Sequence, residues 1–476
     1  MVVIFIGYLL FTIGLGLWQA QKTKSQSDFV LGGSKLPGWM LALSERATGE
    51  SAWLLLGLSG FIYANGYSGI WIALGCLTGI STAWIILAKK FRSEAEKYDA
   101  LTMPEYFSAK FPEQDKTIRI LSTFIIVFFF IFYVGAQFAG AGKTIFQTFG
   151  LDPFWGQIIA AIVILIYATV GGFVSVVAVD TFQSVLMITT LVVTPIIIII
   201  KILSNHINLS QALSHAPAGF TSFTGAATGF AAGIIIFNNL AWFFGYLGGQ
   251  PQLNARFMGM RDERNVKIGR NIAVAWTFLA YVGVFIIGVG AMILYGPNAV
   301  KDSEMILPHV LTNLFPGWLA AILLAGAVAA MISTAESMLL VAASSISQDV
   351  YKGIIKKGDA PDKKLLLISR IATLSVGIFA LILSLSTSKL IYTIVSYAWA
   401  GIGCSFAPAI LLSFYWDKFN SNGVITSLIA GLLTTVVWIA IGLEKTITAR
   451  AVTFVVAITL AIIVSLLTNK KKNELA

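Results

Sequence analysis

The sequence predicts an all-α membrane protein of about thirteen transmembrane helices, ten of them arranged as two five-helix units of opposite orientation. Three observations predict it. Of 476 residues, 57% are hydrophobic and only 11% charged, against about 25% charged in a soluble domain. Apolar runs of about 20 residues, each long enough to cross a bilayer as a helix, recur from end to end. They lack the strict alternation of a barrel strand. Lysine and arginine then sort to alternate joints, as cytoplasmic loops require.

The spans begin near Val3, Pro37, Ser68, Leu121, Phe154, Val177, Ala226, Ile272, Trp318, Ile371, Ile391, Val424 and Val452. The opening MVVIFIGYLLFTIGLGLW has neither the basic start nor the small-residue cleavage site of a signal peptide, so it reads as a retained first span. With the N-terminus outside, 25 of the 32 Lys and Arg fall inside: Lys22, Lys24 and Lys35, the stretches 89–119, 256–270 and 352–370, Lys418, and 470–472. Six fall outside, at Lys143, Lys201, Lys301, Lys389, Lys445 and Arg450, and Arg46 remains within a span. The bias places the C-terminus in the cytoplasm, in a cell inner or plasma membrane. The net charge of +10 follows from the same bias and does not call for a nucleic-acid partner.

The polar stretches 91–119 and 348–370 suit amphipathic connectors and leave no room for a soluble catalytic module. Walker A, HExxH and GxSxG motifs are missing from the sequence, and no nucleophile–base constellation stands out, so the chain does not read as an enzyme. Cys76 and Cys404 lie in apolar runs as packing residues. His206, His215 and His309 fall in polar connections and form no ligand cluster.

Polar groups inside spans are expensive and mark function or mutual pairing. In span 2, SERATGESAW (44–53) holds Arg46 and Glu50 four apart, the spacing of a helical ion pair. The pair is either structural or brackets an unwound turn at Thr48–Gly49 that frees carbonyls for a cation. Glu45 is expected to face the aqueous cytoplasmic vestibule. In span 7, AWFFGYLGGQPQ (241–252) crowds Gly245, Gly248 and Gly249 before Pro251, which ends or interrupts a helix. In span 9, AVAAMISTAES (327–337) sets Ser333 beside Thr334, with Glu336 close by; such hydroxyls bond back to a carbonyl or ligate an ion. Asp180, near the cytoplasmic end of span 6, is either an interfacial cap or a cation ligand. Carbonyl, hydroxyl and carboxylate oxygens are the ligands of a hard cation such as sodium.

The two interrupted spans, 2 and 7, stand five apart. Spans 2–6 and 7–11 would each open on a broken helix, the layout of an inverted repeat with its site at the midplane. The chain then reads as one transporter domain: an extra first span in 1–36, a first repeat in 37–203, an inverted second repeat in 224–415, and two last spans with a cytoplasmic tail in 422–476.

At these residues the chain resembles the sodium/solute symporter family, and within it the sodium/proline branch. The matching pieces run through nearly the whole chain: DFVLGGSKLPGW from Asp28, SAWLLLGLSG from Ser51, YATVGGFVSVVAVDTFQ from Tyr167, GYLGGQPQLNARFM from Gly245, ISTAESMLLVAASSISQDVY from Ile332 and VSYAWAGIGCSFAP from Val395. The resemblance implies thirteen spans with a LeuT-type 5+5 inverted repeat. It implies a sodium site of Ala47, Glu50 and Ala330 carbonyls with Ser333 and Thr334 hydroxyls, and Asp180 along the sodium path. It implies aromatic solute contacts at Trp53, Tyr133, Trp242 and Tyr246. Thr48 and Gly49 on the unwound turn, and Gln137 one helical turn beyond Tyr133, complete the expected solute set. One departure stands out: proline carriers have Asp at the place of Gly49 and an apolar residue at that of Glu50.

The function expected is sodium-coupled import of a small organic solute, L-proline first, by alternating access. Partners are the solute, sodium and the lipid bilayer, with no organic cofactor and a monomeric working unit. Another amino acid, a monocarboxylate or a sugar acid is the rival cargo. A transporter-fold sensor would carry a signalling domain, and a channel would show a filter loop or a ring of charge.

Overall fold

Backbone N–H and C=O groups find no water inside a bilayer and must pair within their own segment, so each apolar run forms a helix. The computed structural model describes residues 1–386 and 391–475; Lys389, one of the expected outer charges, lies outside the described residues. Within them, ten helical stretches are long and apolar enough to cross a membrane, and two shorter apolar helices, Pro153–Ile166 and Gly229–Gly245, accompany them. The one strand-like pairing among the described residues is an isolated bridge between Leu36 and Met260.

One of the ten stretches, Gly38–Lys97, is 60 residues long. Unbroken it would reach about 90 Å, three bilayer cores. It instead turns back at Gly66, where the Tyr67 N–H donates to the Phe220 carbonyl at 2.8 Å. The stretch therefore contains two of the expected spans.

The elements that build the site are, in chain order, α1 (Val2–Ala20), α2 (Gly38–Ala52), α3 (Asp115–Phe149), α4 (Pro153–Ser204), α5 (Trp242–Gly245), α6 (Pro251–Met258), α7 (Glu263–Tyr295), α8 (Gly317–Ser344), α9 (Ile391–Tyr415), α10 (Ser421–Ala440) and α11 (Ala449–Leu475). α4 is interrupted at Gly172, between the expected fifth and sixth spans. α8 is the central helix. It is buried along most of its length and packs on α2, α3 and α4. Its run of alanines lets the neighbouring backbones approach closely. α1 and α10 expose many large apolar side chains, as lipid-facing helices do.

One face of the bundle carries Met1, packed on Gly317, and the ion pairs of Lys143 with Asp302 (2.8 Å) and Glu304 (3.0 Å). The opposite face carries a seam: the Arg261 N–H donates to the Leu36 carbonyl at 3.3 Å, and the Gly38 N–H to Asn265 Oδ1 at 2.8 Å. The seam joins the start of α2 to the segment between α6 and α7 and to the first turn of α7.

Candidate functional site

α2 breaks at Ser51, whose backbone is left-handed (φ +45°, ψ −168°). A non-glycine residue is strained there, and its neighbours hold it in place. Tyr133 on α3 donates its hydroxyl to Ser51 Oγ at 3.0 Å, and the Trp53 N–H donates to the same oxygen at 3.1 Å. The Ala52 N–H, which an intact helix would give to the Thr48 carbonyl, goes instead to Gln137 Oε1 at 3.0 Å. Thr334 Oγ1 on α8 donates to the vacated Thr48 carbonyl at 2.9 Å. Gln137 and Thr334 thus splice one broken main-chain bond from both sides. The sequence puts the interruption at Thr48–Gly49; the structure moves it to Ser51, because the bonding partners converge there and Gly49 stays helical.

The second break lies between α5 and α6. Gly248 is left-handed (φ +77°), Asn254 Nδ2 donates to its carbonyl at 2.7 Å, and Pro251 opens α6, a first-turn position where its missing N–H costs nothing. A Cβ on Gly249 would stand 1.8 Å from the Gly403 carbonyl on α9, so only glycine lets the two backbones pass.

Beside the first break, uncharged oxygens gather. Ser333 Oγ donates to the Ala47 carbonyl at 3.0 Å and to its own helix at Ala330 at 3.2 Å. Thr334 joins through Thr48, and the Glu50 carbonyl accepts the Trp53 N–H. Hydroxyls from an intact helix meeting the carbonyls of a broken one are the ligand chemistry of a hard cation.

Aromatic rings line the next layer. Trp53 and Trp242 stack face to face, 4.2 Å apart and 8° from parallel. Trp399 Nε1 donates to the Tyr133 hydroxyl at 3.0 Å and its ring lies 4.2 Å from Tyr246. Trp242 Nε1 reaches the Tyr392 hydroxyl at 3.4 Å. The stacked pair is fully buried and leaves no room for a saturated ring between its members. The gap bounded by Glu45, Arg46, Tyr246, Gln250 and Asn254 holds only about 10 Å³, the space of one water at most. The breaks themselves therefore leave no room for a solute. A larger concavity of about 290 Å³ lies elsewhere, walled by Phe128, Phe129, Phe132, Ile394 and Ile439. It carries no charged group and does not match a polar solute.

Two buried charge clusters flank the breaks. Arg46 pairs with Glu50 at 2.8 Å and with Glu45; Glu50 also accepts the Tyr281 hydroxyl at 2.9 Å, and Glu45 the Trp84 indole N–H at 3.0 Å. Glu45 is therefore sealed within the protein, not turned to an aqueous vestibule as the sequence suggests. Its carboxylate has a guanidinium and an indole to satisfy it there. In the second cluster, Arg256 on α6 donates to Asp180 on α4 at 3.0 Å, Ser337 on α8 at 2.5 Å, Ser44 on α2 at 3.1 Å and the Gln252 carbonyl at 2.9 Å. Asp180 further accepts from Ser44 at 2.6 Å and meets the Glu336 carboxyl.

Residues 29–431 match the family model described as the sodium:solute symporter family, most of the chain. The chain belongs to the sodium:solute symporter family. Among the relatives of this symporter is the osmoregulated proline transporter OpuE of Bacillus subtilis strain 168. It is 33% identical over 469 residues, spanning 97% of this chain and 94% of the relative. The sodium/proline symporter of Escherichia coli K12 is 32% identical over 445 residues, 92% of this chain and 87% of the relative. A solved Na+-coupled sialic acid symporter, substrate-bound and outward-open, superimposes with a TM-score of 0.78 at 19% identity. That match covers 98% of this chain and 97% of the other. This likeness shows the fold, the LeuT-type helical one. The protein is an integral plasma-membrane transporter that couples sodium to a small solute, not an enzyme.

Within the symporter, the structure brings Ala47, Ala330 and Ser333 into direct contact and sets Thr48 and Thr334 beside them. Trp53, Tyr133, Trp242 and Tyr246 share the aromatic layer, while the Gln137 carboxamide serves the main chain of the break. Asp180 is paired with Arg256 and touches the oxygen cluster only through the Thr48 hydroxyl, which donates to it at 3.3 Å. Sequence reasoning missed Arg256, Tyr281, Tyr392 and Trp399. Arg256 was legible only as one of the cytoplasmic charges; its signal is the spacing from Gln252, four residues back, whose carbonyl it caps.

Proposed function

We propose that this symporter imports L-proline together with sodium by alternating access. The observation that carries the reading is the junction at the first break, where the α8 hydroxyls Ser333 and Thr334 donate to carbonyls of α2 beside the Trp53–Trp242 pair. Sodium would bind the carbonyls of Ala47, Glu50 and Ala330 and the hydroxyls of Ser333 and Thr334. Each hydroxyl turns its proton away and offers a lone pair. Asp180 would serve the sodium path by exchanging the Arg256 guanidinium for the ion. Proline would part the stacked indoles: its ring suits apolar walls, and Trp53, Tyr133, Trp242 and Tyr246, with Thr48, Gly49 and Gln137 nearby, supply both faces and polar edges. That both relatives described above are proline transporters supports proline among amino acids.

Thirteen crossings, with 37–203 and 224–415 as inverted halves, would put the N-terminus outside and the C-terminus inside. The seam at Leu36–Asn265 would then be the inner gate and the Lys143 face the outer one. Sodium, by joining α2 to α8, favours the outward-open state; proline favours occlusion. Each shifts the equilibrium only by its difference in affinity between states. The chain would work as a monomer, without an organic cofactor.

Uptake into proteoliposomes under an imposed sodium gradient, proton gradient or neither tests the reading, with a panel of amino acids, monocarboxylates and sugar acids as competitors. Sodium-driven uptake with proline the strongest competitor is expected. Uptake driven by protons alone, or best competed by a solute other than proline, overturns it.

A further inference from the structure

Arg450, at the start of α11, is 4% exposed and has no carboxylate partner among the described residues. Its guanidinium lies 4.2 Å from the centre of the Trp242 ring, and one nitrogen bonds Ser396. Trp53 covers one face of Trp242 at the same spacing, so the guanidinium must occupy the other. The nearest acid in sequence, Glu444, is occupied: its carboxylate accepts the Ala449 N–H at 2.5 Å and the Thr448 hydroxyl at 3.2 Å, capping α11. Arg450 Nε has no partner. A guanidinium taken out of water is costly unless paired, and a ring face and one hydroxyl offset only part of that cost. The geometry calls for an anion that is present in part of the cycle.

We infer that Arg450 receives the carboxylate of the transported solute. This rests on the sodium–solute reading above and extends it: the solute class is a carboxylate, amino acids included. Glu50 lies on the Trp53 side of the stack: it accepts the Tyr281 hydroxyl at 2.9 Å, and the Tyr281 ring stands 6.5 Å from that of Trp53. Trp242 stands between Arg450 and Trp53, so the carboxylate of a zwitterion reaches Arg450 once that indole swings aside, with its ammonium toward Glu50 and Tyr281 and its apolar body against Trp53. The sequence counts Arg450 as a loop charge; the structure makes it part of the wall.

The test is competition against labelled L-proline in proteoliposomes of the full chain, using L-proline and L-prolinamide. The two differ at the carboxyl end alone, a charged acceptor-only carboxylate in one and a neutral amide with one acceptor oxygen and two N–H donors in the other. The wild type should prefer proline strongly. R450Q should raise the half-saturating proline concentration about 10- to 100-fold, the scale of a charged hydrogen-bond pair, and bring the two competitors to near equality. R450K, which keeps the charge, should retain most of the preference and shows that the position tolerates change. Sodium-dependent change in tryptophan fluorescence should persist in both variants. An unchanged proline-to-prolinamide ratio in R450Q overturns the inference while leaving proline transport standing. Replacing chloride by gluconate separates the other anion source: wild-type uptake that needs chloride, with R450Q indifferent to it, assigns Arg450 to the inorganic ion and overturns the inference. If the wild type carries another carboxylate in place of proline, the same comparison with that solute and its amide decides Arg450. If it carries only solutes without a carboxylate, the inference falls.

Discussion

Asp180 and Arg256 form an ion pair at 3.0 Å with both side chains fully buried. The pair joins α4 to α6, and the remaining guanidinium bonds reach α2 and α8. The cluster thus ties four helices together through one guanidinium. Removing one partner leaves an unpaired buried charge, worth about 3–5 kcal/mol of stability. D180A and R256A should each lower the unfolding temperature of the purified protein, and D180N less so. The swap D180R/R256D should recover part of the loss. Thermal unfolding in detergent checks this; a swap no better than either single variant would rule out charge pairing as the cause.

The hydroxyls on α8 have a different job. Ser333 and Thr334 hold carbonyls of α2, and S333A and T334A remove donors without disturbing charge. Each should raise the sodium concentration for half-maximal uptake about tenfold, or about 1.4 kcal/mol. Half-saturating proline at saturating sodium should move far less. Sodium titrations of uptake give both numbers, and an unchanged sodium dependence in the double variant would displace the ion from this junction.

Trp53 and Trp242 make the opposite prediction. Their stack is a contact between the two broken segments, and a solute between them replaces ring by ring. W53A should weaken proline about 10- to 100-fold through lost apolar contact, with sodium affinity near that of the wild type. Adding proline to the wild type should alter tryptophan emission, and W242A should abolish that change.

Much of this was legible in the sequence because it depends on composition and local pattern. Span lengths, the Gly-Gly-x-Pro break before α6 and the Arg46–Glu50 pair all follow from spacing along one segment. What was not legible depends on contacts across segments. The break at Ser51 is fixed by Tyr133 and Gln137, about 80 residues away in the chain, and intrinsic propensity favoured Gly49 as the weak point. Arg256 and Arg450 look like ordinary loop charges until the fold brings Asp180 to one and Trp242 to the other.

The departure at Gly49 and Glu50 now has a physical form. Both Glu50 oxygens are used, one by Arg46 at 2.8 Å and one by the Tyr281 hydroxyl at 2.9 Å. E50M should therefore destabilise the protein by about 1–3 kcal/mol, because Glu45 keeps Arg46 paired while the Tyr281 hydroxyl and one Arg46 nitrogen lose a buried acceptor. A Cβ at Gly49 would lie 3.4 Å from an Arg46 nitrogen, with no positive φ to forbid it. An aspartate there sits beside the same guanidinium, so G49D/E50M should recover part of the stability lost in E50M. Thermal unfolding of the three proteins decides it; no recovery would mean that the two positions are not exchangeable sources of one countercharge.

The seam at the opposite face is built on a relay of three residues. Asp262 Oδ1 accepts the Asn265 main-chain N–H at 2.8 Å and its side-chain amide at 2.9 Å, which aims Asn265 Oδ1 at the Gly38 N–H. These bonds, the main-chain one first, hold the Asp262 carboxyl below its ordinary range. A depressed carboxyl favours the closed seam above the ordinary carboxylate pKa, and the benefit is lost as pH falls through the lowered value. Between about pH 5 and 8 the carboxylate stays ionised, so this seam contributes no pH dependence there. N265A removes the acceptor of Gly38 outright and D262A removes the residue that orients it, whereas D262N keeps a capping oxygen. Hydrogen exchange of the segment around Gly38 should accelerate several-fold in N265A, less in D262A and little in D262N. Equal protection in all three would show that the Leu36–Met260 bridge alone holds the face shut.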